Sequence, residues 1–299
     1  MNEFLGEIAG LATATCWAFG SIFFTIGGLR VGSVIVNRIR LALALFFLMM
    51  THLILTGQII PVNAEPSRWF WLGLSGIIGF VIGDAMLFQA FVMIGTRVTM
   101  LLMALVPVIS ALLAWLFLGE TLTPIEWLGI AVTIGGIAWV VADKNRNGTP
   151  AKNRPPVLGL LLGFGGALGQ AVGLLASKKG LWGDFSPLSG NLIRVIIAAA
   201  VMWILTIAMG KAKSTILKLK DFKATRAIIG GSFFGPFIGV WLSLVSIKYA
   251  RIGIASTLMS LTPVLLIPLV YWIFKEKITV YAILGTFVAV SGVVILLLA

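Results

Sequence analysis

The feature that most limits what this chain can become is a repetition. The stretch from Gly79 to Gly136 recurs without a gap 156 positions later. Laid on Gly235 to Gly292, it matches at Gly79/Gly235, Gly83/Gly239, Leu105/Leu261, Pro107/Pro263, Glu120/Glu276, Thr123/Thr279, Gly129/Gly285 and Gly136/Gly292. Apolar coincidences are expected by chance in a chain this apolar, but paired Gly, Pro and Glu positions are not. Duplication on this scale makes the molecule two copies of one unit before any single residue is interpreted.

Composition says what the unit is made of. With 60% hydrophobic and 11% charged residues, and a mean hydropathy of +1.09, the polar surface is too small to cover a soluble globule. Apolar runs long enough to cross about 30 Å of hydrocarbon recur at roughly 5–27, 33–56, 69–93, 97–118, 124–142, 157–178, 186–209, 225–247, 252–274 and 279–298. The expected fold is an all-α membrane protein with ten transmembrane helices in the lipid bilayer. Glu3 and Glu7 stand where a signal peptide carries basic residues, so the first run reads as a mature helix.

The halves divide as residues 1–142 and 157–299, joined by a polar linker, 143–156, reading DKNRNGTPAKNRPP. Gly10/Gly159, Ser21/Gln170 and Arg40/Arg194 extend the correspondence to the start of each half, with small insertions in the loops. Five spans per half is odd, so the second copy enters the membrane from the opposite side and the halves are inverted repeats. About 16 Lys and Arg fall on the side of the odd-numbered loops against about 5 on the other, which places the odd loops in the cytoplasm.

Glycines four apart (Gly79/Gly83, Gly165/Gly169/Gly173, Gly235/Gly239) read as faces where helices approach closely. Pro107, Pro236, Pro263 and Pro268 should kink helices 4, 8 and 9. The net charge of +12 lies in the loops, where it orients helices, and argues against a nucleic-acid partner. One cysteine, Cys16, cannot form an intrachain disulfide, and the lone His52 has no partner nearby in sequence. No metal, cofactor or enzymatic motif is present, and the absence of a phosphate-binding loop argues against direct use of ATP.

The chain resembles ten-helix members of the drug/metabolite transporter superfamily with two EamA domains. The resemblance rests on Trp17 with Gly20, on Arg40 and Arg194, and on Ala250 after Tyr249. Above all it rests on the twice-repeated pattern Pro107, Glu120, Thr123, Gly129, Gly136 and Pro263, Glu276, Thr279, Gly285, Gly292. It implies a carrier with a central cavity between the halves, alternating access, and export of amino acids or related small metabolites. Many such relatives hold both termini in the cytoplasm, opposite to the charge count, so sidedness stays open.

A charged side chain within a span costs about 2.5–3.5 kcal/mol on insertion scales, so each requires a reason. Asp84 lies inside helix 3 and its repeat counterpart is Val240, so packing symmetry does not demand it. It is expected to face the cavity and bind a substrate ammonium or take up a proton, the alternative being a structural acid paired with Arg40. Phe88 shares its face at i+4 with Gln89 beside it, Trp17 and Ser21 lie on one stripe of helix 1, and Gln170 and Trp241 complete the expected wall. Arg40 and Arg194 read as structural or gating residues, with attraction of a substrate carboxylate as the alternative. Glu120 and Glu276 should make gate or cap contacts where helices 4 and 9 end. The expected activity is secondary transport of a small organic solute by a monomer in the prokaryotic inner membrane. A nucleotide-sugar or sugar-phosphate-type carrier of the same superfamily and a membrane receptor or scaffold are the alternatives.

Overall fold

The computed structural model describes residues 2–118, 121–146, 156–249, 258–276 and 278–298. Among them nine helices are long and apolar enough to cross a membrane, and the shorter Thr262–Phe274 supplies a tenth span. In chain order, spans 1 and 2 are Asn2–Val31 and Ser33–Thr56, and span 3 runs over Pro66–Gly76, Ile77–Gly83 and Asp84–Ile94. Span 4 is Thr96–Met103 with Leu105–Leu118, span 5 is Pro124–Arg146, and spans 6 and 7 are Val157–Gly180 and Pro187–Ala208. Span 8 is built from Phe222–Ser232, Phe233–Gly239 and Val240–Tyr249, and spans 9 and 10 are Thr262–Phe274 and Val280–Leu298. A short surface helix, Ala212–Leu217, and one 3-10 turn, Lys218–Lys220, join spans 7 and 8.

The halves interlock rather than lie side by side. Spans 5 and 10 cross through the repeated glycines: a Cβ on Gly136 would meet the backbone of Ala289, and one on Gly292 the backbone of Thr133. Only bare backbone permits that approach. Span 3 meets span 6 where Gly83 and Gly169 touch, and span 8 meets span 1 where Gly235 faces Gly20. Each of these contacts joins one half to the other.

Spans 3 and 8 each contain one π-helical segment, Ile77–Gly83 and Phe233–Gly239, a repeat period apart. A π turn inserts an extra residue and leaves local backbone groups misaligned. In both halves an asparagine of the neighbouring span repairs the fault: Asn37 Nδ2 donates to the Phe80 carbonyl and Asn191 Nδ2 to the Pro236 carbonyl, each at 3.1 Å.

The expected proline kinks appear in altered form. Span 4 breaks at Ala104, because Pro107 has no N–H to offer the carbonyl of Met103. Pro236 lies inside the π segment, and Pro268 inside span 9. Pro263 opens span 9, where its missing N–H costs nothing, and so kinks no helix. Span 5 continues to Arg146, four residues into the stretch read as linker, since no Gly or Pro stops it there. His52 is buried with partners: Nδ1 lies 2.6 Å from the Gln58 carbonyl and Nε2 3.0 Å from Ser189 Oγ, across the boundary between the halves.

Candidate functional site

Between the halves lies a cavity of about 330 Å³, walled by spans 1 to 4 and 6 to 9. Its wall is mostly aromatic and aliphatic, with a few hydroxyls and three charged side chains, Arg40, Asp84 and Arg194. All three are buried.

Asp84 is the first residue after the π segment of span 3. Its carboxylate is fully engaged: Oδ2 pairs with Arg40 Nη2, and Oδ1 accepts from Gln170 Nε2 at 2.7 Å. Arg40 is fixed in turn by Nε donating to Asn37 Oδ1 at 3.0 Å, and Phe24, Phe80 and Phe88 surround it, the last with its ring centre 4.8 Å away. Thus Asn37 serves both the π turn and the arginine. The network is closed, with a charge, a counter-charge and two amides in apolar surroundings.

The second half repeats the frame without the acid. Arg194 matches Arg40, Asn191 matches Asn37, and Val240 stands where Asp84 would be. Arg194 rests over the Phe80 ring at 4.5 Å. Its Nε has no hydrogen-bond partner, and neither has Asn191 Oδ1. Among the described residues Arg194 forms no ion pair, so the cavity carries one positive charge beyond balance. Arg194 Nη2 and Gln170 Oε1 flank the same free space, each 3.7 Å from where a Cβ on Gly79 would project.

Of the residues picked from sequence, Trp17, Ser21, Arg40, Asp84, Phe88, Gln170 and Arg194 line the cavity. Neither arginine snorkels to an interface. Gln89 is turned about 100° from Phe88 around the helix, and its Oε1 accepts from Ser33 Oγ at 2.5 Å instead. Trp241 is likewise one step off the Val240 and Leu244 face; it packs against the Leu41 and Leu192 cluster beside Phe237. Glu120 lies outside the described residues.

Glu276 sits away from the cavity and accepts from Arg97 Nη2 at 3.0 Å and Nε at 3.2 Å, tying the start of span 4 to the end of span 9. Thr25 and Thr96 meet at 2.7 Å nearby in the chain and join span 1 to the same end of span 4. Arg97, Met103, Phe80 and the two asparagines were not picked from sequence. Asn37/Asn191 had been visible as a matched pair beside the arginines, but nothing in the sequence announces the π turns they serve.

The family profile described as "EamA-like transporter family" matches residues 4–142 and 157–298. A solved structure titled "Crystal structure of protein" has the same fold with a TM-score of 0.66 and 16% identity, over 97% of this chain and 95% of that one. No curated protein matches the sequence.

Proposed function

Because the chain belongs to the EamA-like transporter family, and is thus a drug/metabolite-type transporter embedded in a membrane, we propose that its cargo is a small organic metabolite bearing one carboxylate and an apolar body. An amino acid is the simplest such molecule. We place it in the prokaryotic inner membrane, exporting or exchanging this solute as a monomer.

One observation carries the substrate class: Arg194 is a buried cation on the cavity wall that makes no ion pair among the described residues, the one acid of the cavity being paired with Arg40. A guanidinium left thus is costly to hold alone and gains most from a carboxylate, to which it offers parallel donors. Gln170 Oε1, across the same space, suits the ammonium of an amino acid. Trp17, Phe88 and Met103 offer the apolar body a dry surface. Arg97–Glu276 and Thr25–Thr96 hold spans 1, 4 and 9 together on the face where span 1 ends. Alternating access would require those contacts to part.

The single unbalanced charge favours a monoanion over a sugar phosphate, whose dianion calls for several free cations. A thermal-shift and counterflow screen of the purified protein against amino acids, monocarboxylates, organic cations and sugar phosphates tests this. Loss of an Arg–carboxylate contact is worth about 1.5–3 kcal/mol, so Arg194→Gln should weaken the responding compound roughly 10- to 100-fold. A response to sugar phosphates alone would replace the proposed substrate class. Silence across all compounds in both assays would favour a receptor or scaffold.

A further inference from the structure

A second hollow, of about 320 Å³, lies on the face where span 1 ends, away from the central cavity. Ile39 and Ala42 of span 2, Trp203 of span 7, Ile229 of span 8, and Thr215 and Ile216 of the surface helix wall it. It therefore touches both halves. Its lining is apolar but for Thr215, Thr225 and the Trp203 indole, and the segment that supplies part of it is strongly basic.

The surface segment and the start of span 8 carry Lys211, Lys213, Lys218, Lys220, Lys223 and Arg226, all exposed. Asp221, the acid among them, is already held by both oxygens to Arg30 Nε at 3.0 Å. Ile216, Leu217 and Phe222 are exposed on the same segment, so it combines cations with apolar side chains as an interfacial element does.

Two buried donors are unsatisfied there. Arg38 is only 7% exposed and lies behind the wall, where its Nη1 donates to the lining Thr215 Oγ1 at 3.0 Å, yet its Nε has no partner. Trp203, on the wall, has a buried Nε1 without a partner. An apolar slot, a basic segment forming one of its walls and a buried cation without an ion pair describe a receptor for an amphiphile with a negative head. A zwitterionic lipid would leave the lysines uncompensated, and a free anion would leave the slot empty.

We propose that this hollow binds an anionic glycerophospholipid, with one acyl chain between spans 2, 7 and 8 under the surface helix and the phosphate toward Arg38 and the lysines of the surface segment. Bound there, the lipid clamps span 2 of the first half to spans 7 and 8 of the second.

The test uses purified full-length protein in neutral detergent, titrated with phosphatidylglycerol, phosphatidylcholine or glycerol phosphate, and read by native mass spectrometry and melting temperature. Phosphatidylglycerol should bind saturably and raise Tm by roughly 2–4 °C, while the other two should not. Changing Lys213, Lys218 or Lys220 to Gln should weaken that binding about fivefold per residue, from the ~1 kcal/mol that each cation contributes near an anionic head group. Ala42→Trp fills the slot and should abolish the saturable component, with Ile229→Trp as a second filler if the first does not fold. Equal stabilisation by phosphatidylcholine or by glycerol phosphate would overturn the proposal. So would a folded, slot-filled variant that keeps the whole phosphatidylglycerol response.

Discussion

Arg40 and Arg194 occupy the same position of the duplicated unit, yet the structure assigns them opposite energetic roles. Arg40→Gln strips Asp84 of its counter-charge and leaves a buried carboxylate with only Gln170 as donor. Breaking a buried ion pair from one side costs about 3–5 kcal/mol. At about 2 °C per kcal/mol for a chain of this size, Tm should fall by roughly 6–10 °C. Arg194→Gln instead removes a buried cation that makes no ion pair, forfeiting its contact with the Phe80 ring, worth about 0.5–2 kcal/mol, and a longer-range attraction to Asp84, while relieving a desolvation penalty of several kcal/mol. Its Tm should stay within about 2 °C of the parent or rise. Combining Arg40→Gln with Asp84→Asn should recover most of the loss, because the site then holds neutral amides. Melting curves of the four proteins in one detergent decide the matter. Equal falls for the two arginine variants, or no recovery in the double variant, would refute the asymmetry.

Three further outcomes follow from contacts described above. Asn37→Ala and Asn191→Ala should each cost about 1–3 kcal/mol by leaving a π-turn carbonyl unpaired; thermal melts should show the Asn37 change to be the larger, since it also releases Arg40 Nε. Glu276→Gln should loosen the tie between spans 4 and 9, so that a cysteine placed at Thr25 in a Cys16→Ser background reacts several-fold faster with a soluble maleimide. The Arg30 guanidinium, and after it the Ala224 N–H, holds the Asp221 carboxyl below the usual carboxylate range. A depressed pKa stabilises the folded state fully above the ordinary value of about 4 and ceases to as pH falls below it. Asp221→Asn should therefore lower Tm at pH 6 to 8 and bring the two curves together in acid.

The fold was legible because its determinants are periodic. Ten apolar runs and a 156-residue repeat define spans and halves without reference to any contact. Gly83, Gly169 and Gly235 even marked close approaches of helices, since glycines four apart leave one face bare. The site was legible by face: Asp84, Phe88, Trp17 and Gln170 share helical stripes that meet at the cavity. Gln89 and Trp241 lie off it because adjacency along a helix is a 100° turn away from the face. What lay beyond reach depends on distant geometry. Nothing near Asp84 in sequence marks Arg40 as its partner over Arg194, and the π turns that set this register have no compositional signature. His52 finds one partner in Gln58 nearby but the other, Ser189, on a span of the other half, which no local reading could supply.

The way the two halves cross has a consequence for how such a molecule is made. Spans 1, 3 and 5 make close glycine contacts with spans 8, 6 and 10, so neither product of a cut in the linker would keep its own packing surface covered. Each fragment would be an unfinished object awaiting its complement, and that complement would have to be threaded through the bilayer upside down. A single polypeptide removes the search for a partner and guarantees equal numbers of both orientations, which two separately made pieces would have to achieve through expression level and chance encounter.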